Sequence, residues 1–135
     1  MNDEQSKRLS DAADALIQAS DALEESRETM NDRRFESEQE RERTQAAQQM
    51  ASKLDAAGKK VDDAVRKCTV AAAATGRPGT FAAYKAADAA IREGRGLARR
   101  AGDQDGTQAK KAMATEAMTK IEGALDNAAT IVFGE

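Results

Sequence analysis

Apolar residues recur along this chain at helical rather than alternating spacing, so the pattern predicts helices and no strands. Leu9, Leu16, Leu23 and Met30 follow one another every seven residues, with Ala12 and Ala19 three positions later. That is a coiled-coil-like seam with small partners. Asn2 or Asp3 can cap its start, and the acidic residues behind them suit a helix N-terminus. The first predicted helix covers residues 3–31. A second stripe, running through Ala47, Met50, Leu54, Ala57, Val61, Ala64 or Val65, Cys68 and Ala71 or Ala72, predicts a helix over residues 35–75. It would be about 60 Å long at 1.5 Å per residue. Only Gly58 weakens it, by about 1 kcal/mol relative to Ala.

Gly76-Arg77-Pro78-Gly79 is a stop signal, a left-handed cap followed by the one proline. Thr80 then stands where it can cap a third helix, residues 80–101, with Phe81, Tyr84, Ala87, Ile91, Leu97 or Ala98, and Ala101 on its apolar side. Gly94 and Gly96 either soften its second half or let another backbone approach closely. After the turn Gly102-Asp103-Gln104-Asp105-Gly106, Thr107 can cap a last helix over residues 107–132, striped by Ala114, Met118, Ile121, Leu125, Ala128 and Val132.

The number of helices before Gly76 turns on residues 31–45, where Phe35 is the only apolar residue and nine of fifteen are charged. The heptad phase runs on through this segment, which favours one long helix. Its seam positions there, however, are Arg33, Ser37, Glu40 and Thr44, and an uninterrupted helix of about 70 residues would span about 105 Å. A chain reversal pairs Leu23 with Leu54, Leu16 with Val61 and Met30 with Ala46 or Ala47, and is the preferred reading. Asn31-Asp32 is its most turn-prone dipeptide. The expected fold is a single all-α domain over residues 1–135, an antiparallel bundle of three to four helices that are long, Ala-rich and coiled-coil-like.

Composition narrows the chemistry. The 135 residues include 30 Ala, four aromatic residues, one Cys and no His or Trp. Imidazole catalysis, His-centred triads, His metal ligands and an intrachain disulfide are therefore ruled out. Cys68 falls on the apolar stripe and reads as a buried small hydrophobe. Carboxylate pairs are plentiful, but the Glu-x-x-His motif of di-metal bundles cannot occur, and 103–106 is too short for a twelve-residue calcium loop. The expected protein is non-enzymatic, with no cofactor and no metal. A mean hydropathy of -0.72 and no long apolar run exclude a transmembrane segment. The polar N-terminus shows no leader pattern, so the cytoplasm, or a particle assembled there, is the expected location.

Charge adds an asymmetry. Residues 1–65 carry sixteen acidic and ten basic side chains, whereas residues 66–135 carry eight and eleven. The acidic cluster Glu36, Glu38, Glu40 and Glu42, interleaved with Arg41 and Arg43 at i, i+3 spacing, reads as an exposed helix face. Lys85, Arg92, Arg95, Arg99 and Arg100 give the third helix a basic side. These two clusters are the candidate interaction residues. A helical protein-protein interaction or structural assembly protein that self-associates is the expected function, with a homo-oligomer or a helical partner. The basic helix also suits phosphate contacts with nucleic acid, insensitive to sequence because no aromatic residue interleaves it.

Tyr84 and Asp88 form Tyr-x-x-x-Asp, which resembles the export signal of the small helical-hairpin substrates of actinobacterial type VII secretion. The resemblance implies a secreted helical-hairpin substrate or effector. It covers five residues, and the Trp-x-Gly turn of that family is absent.

Overall fold

Asn2 opens the first helix with a reciprocal cap: its side chain accepts from the Gln5 backbone N–H at 2.8 Å, while its own N–H donates to Gln5 Oε1 at 3.0 Å. In the computed structural model, which describes residues 1–134, four helices follow in order. They are α1 (Asp3–Glu28), α2 (Glu40–Ala74), α3 (Thr80–Ala101) and α4 (Thr107–Phe133). No strand occurs among the described residues. The fold is all-α, an antiparallel helical bundle, and no described helix is long and apolar enough to cross a membrane.

The reversal between α1 and α2 is built without glycine or proline. Two 3-10 turns, Thr29–Asn31 and Arg33–Glu36, are separated by Asp32 in an extended conformation, and Ser37 and Gln39 are extended as well. Asp32 caps the second turn by accepting from the Arg34 N–H at 2.9 Å, and its carboxylate holds the Arg34 guanidinium at 2.7 Å. Phe35, the single large apolar residue of this polar segment, plugs the core from above at 4% exposure, with the Lys111 ammonium 4.7 Å from its ring centroid. The second helix thus starts at Glu40 rather than at residue 35, because Phe35 is carried inward by the turn. The i, i+3 pairs expected of Glu38 with Arg41 and Glu40 with Arg43 do not form; Arg43 donates instead to the Ser37 carbonyl at 2.6 Å.

Cross-helix contacts give the register. Lys53 Nζ lies 2.7 Å from Glu25 Oε1, and Gln5 Nε2 donates to the Ala74 carbonyl at 2.9 Å. This is within one or two residues of the pairing that sets Leu23 beside Leu54. The seam itself is rotated from the leucine heptad. Ala12, Ala15, Ala19, Leu23 and Ser26 are the buried residues of α1, while Leu9, Leu16 and Met30 are half-buried at its margin. Small side chains occupy the centre of the seam because they let two helices approach closely.

At the foot of α2 the chain closes a Schellman cap. Gly76, at φ 75°, donates to Ala73 and Arg77 donates to Ala72. The N-caps of α3 and α4 are Gly79 and Gly106 rather than Thr80 and Thr107, and neither has a side-chain cap. Both glycines have positive φ and swing the chain directly into helix, so each threonine already occupies the first helical position.

The helix α2 is the spine. It packs along α1, α3 and α4, α3 also packs extensively on α4, and α1 touches α4 only marginally. The core is therefore a three-helix unit of α2, α3 and α4, with α1 laid on α2. Arg27 of α1 pairs with Glu122 of α4 at that margin, which raises the arginine pKa. Two mid-helix glycines mark close approaches. A Cβ on Gly94 would sit 2.6 Å from Ile121 Cγ1 and 3.1 Å from the Ala117 carbonyl, so α4 crosses α3 at this point. A Cβ on Gly58 would sit 2.5 Å from Arg95 Cγ.

Gly94→Ala is expected to lower stability by about 1–2 kcal/mol, because overpacking against backbone outweighs the gain in helix propensity. Gly123→Ala, at an exposed α4 position with nothing within 4 Å, should raise it by about 0.5–1 kcal/mol. Urea unfolding of the two variants checks the opposite signs.

Candidate interaction surface

The fold separates five basic residues that look equivalent in the sequence. Arg95 turns inward: its side chain is 23% exposed, its aliphatic stem crosses Gly58, and Nε donates to Asp55 Oδ1 at 2.9 Å. Arg99 reaches the same carboxylate at 3.4 Å with its side chain 63% exposed. Burial pushes the Asp55 pKa up, but the hydrogen bond and charge of Arg95, with help from Arg99 and Lys59, more than offset it and hold the carboxyl below its ordinary value. Arg95 is thus a clasp between α2 and α3. Lys85, Arg92, Arg99 and Arg100 stay on the outside of α3. Arg92 pairs with Asp88 one turn earlier at 3.0 Å, and Lys85 Nζ lies 5.4 Å from the centroid of the exposed Phe81 ring.

The acidic cluster is at the α1–α2 turn. Glu36 ends the second 3-10 turn, Glu38 lies in the connection, Glu40 starts α2, and Glu42 is half-buried beside Arg34. Glu40 shares a polar cleft of about 260 Å³ with Arg43, Gln104 and Lys110, whose ammonium is held by the Gln104 carbonyl. The cluster is therefore interleaved with cations rather than a uniform acidic patch. No residue of it pairs with the outer cations of α3 among the described residues.

A second acidic row was legible in the sequence, though only the apolar heptads draw attention there. Asp14, Asp21 and Glu28 stand seven residues apart on the outer side of α1, all exposed and without an ion-pair partner among the described residues. Ile17, 61% exposed, sits between the first two. Val70, Phe81 and Phe133 are the other large apolar side chains left outside within the helices.

Inside the bundle, Cys68 is buried and desolvation pushes its thiol up to about 11. It lines a void of about 20 Å³ with Val65, Tyr84, Ala87, Ala128 and Ile131, room for a single water at most. Tyr84 is half-buried against the core, and Asp88 is engaged by Arg92. Gly76 to Thr80 forms a helix-connecting turn. Among the described residues no three carboxylate or thiol groups converge as a metal site.

No protein-family model, no curated protein and no solved structure matches this chain.

Arg95→Ala is expected to cost about 1–2 kcal/mol, through lost stem packing and a carboxylate left without its partner, whereas Arg92→Ala should change stability by less than about 0.5 kcal/mol. Chemical denaturation distinguishes them. For Cys68 the folded pKa lies above the unfolded value, so its contribution is complete below the ordinary thiol range and is lost as pH rises toward about 11. Wild type should lose about 2–3 kcal/mol more than Cys68→Ala over that window, measured by pH-dependent unfolding.

Proposed function

We propose that this protein is a non-enzymatic helical assembly protein that associates with further copies of itself through its helix faces. One observation carries the reading. Folding buries the alanine seams but leaves Ile17, Val70, Phe81 and Phe133 outside, and leaves acidic and basic helix faces that do not neutralise each other within the chain. A surface of this kind gains by covering apolar side chains and pairing charge with a neighbour. The missing histidine and the buried, high-pKa Cys68 also support a role in binding rather than chemistry. In this reading Lys85, Arg92, Arg99 and Arg100 on one side, and Glu36, Glu38, Glu40 and Glu42 on another, orient the partner. Arg95 belongs to the fold.

A second reading has its own support, since four cations of α3 are exposed, Lys85 and Arg100 without an ion-pair partner among the described residues and Arg92 and Arg99 in exposed pairs. A nucleic-acid-associated protein requires affinity that falls steeply with salt and is lost when Arg92, Arg99 and Arg100 become Gln.

Sedimentation velocity between about 1 and 100 µM at low salt should give a mass that rises with concentration, and that falls again as added salt screens surface charges beyond about 10 Å. A constant mass of 14.4 kDa over that range would exclude self-association.

A further inference from the structure

Resting on the self-association reading, we infer that the outer face of α1 in one copy docks onto the outer face of α3 in the next, building a head-to-tail array. The inference starts from two rows of charge with one spacing. Asp14, Asp21 and Glu28 stand every seven residues along α1, and Lys85, Arg92 and Arg99 stand every seven residues along α3. Seven residues rise about 10.5 Å and return within about 20° of the same side of a helix, so each row runs almost along its axis. All six side chains are exposed, and the acidic row has no partner among the described residues.

With the two helices running in the same direction, Asp14 comes opposite Lys85, Asp21 opposite Arg92 and Glu28 opposite Arg99. Beside the acidic row of α1 runs the row Ser10, Ile17 and Glu24, and beside the basic row of α3 runs Ala82, Ala89 and Gly96. The handedness of the helices puts these second rows on the same side of the joint when the helices are parallel. Ile17 then covers Ala89, and Gly96, which has nothing within 4 Å of its missing Cβ, leaves room for Glu24.

The topology allows this contact to repeat. Both α1 and α3 are antiparallel to α2, so they point the same way within one copy, and they make no substantial contact with each other. Each copy thus presents one acidic and one basic face to different neighbours. A contact between unlike faces is not closed by a two-fold axis as a dimer is; it adds copies head to tail, into a ring or an open array according to the rotation between them.

Charge reversal tests the pairing. Asp14→Lys with Asp21→Lys makes both faces basic, and Lys85→Glu with Arg92→Glu makes both acidic. Each doubly substituted chain is expected to associate at least tenfold more weakly than wild type in sedimentation velocity, with helicity unchanged by circular dichroism. A one-to-one mixture should recover wild-type association, since each face again meets its complement. Variants that associate like wild type, or a mixture that stays monomeric while both chains remain folded, would overturn the α1–α3 contact and leave self-association by another face standing. A wild-type chain that is monomeric throughout overturns both. Should a reversed chain lose helicity, Ile17→Lys reads the same face: a tenfold weakening supports the contact, and unchanged association refutes it.

Discussion

Close approach of small-residue helix faces to α2 is the constraint on which the rest of this structure depends. Ala46, Ala47, Ala57, Ala64, Ala71 and Ala72 are buried along that helix, and alanines from each of the other three helices meet it. A buried methylene-sized group is worth only about 0.8 kcal/mol, so such seams gain stability from length and from tight packing rather than from bulk. This explains why a glycine is kept at 94, where an added methyl meets Ile121 and a backbone carbonyl, although glycine weakens a helix. It also explains why Met50, Leu54, Val61, Ile91 and Ile121 fill the interior while Leu9 and Leu16 of α1 stay at its margin and Leu23 alone of the α1 leucines is buried. α1 has one helix to lie on, and its alanine row gives the closer seat.

Electrostatics follows from the same geometry. Because Gly58 leaves α2 without a side chain at one point, the Arg95 stem crosses there and its guanidinium meets Asp55. One turn further, Arg99 shares that carboxylate from outside, and Arg92, one turn earlier, pairs only along its own helix. The difference between a clasp and a surface charge is thus set by a missing Cβ on a neighbouring helix. The proposed assembly face is built from charges that stay exposed after those pairings, Arg92 and Arg99 among them.

Much of this was readable from the residues. The all-helical fold and the stop at Gly76 follow from periodicity and punctuation; the scarcity of apolar residues at 31–45 favoured a reversal over one long helix, with a register within one or two residues of the one observed. The turn itself was less legible, since extended Asp32, Ser37 and Gln39 leave no glycine or proline signature. Phe35 was its one signal, an isolated aromatic among charges. Capping misled at α3 and α4, where a positive-φ glycine before each threonine took the cap position.

The sequence by itself determined the all-helical class, the spans of α3 and α4 within a residue and the absence of imidazole chemistry, because periodicity, punctuation and residue type are local properties of the chain; the antiparallel hairpin it favoured over one long helix. Only the tertiary structure decided which face of α1 meets α2, that α4 packs on α3 and α2 rather than on α1, and which of five cations is consumed. Those outcomes depend on how closely axes approach, and that distance is set jointly by side chains on two helices far apart in the chain.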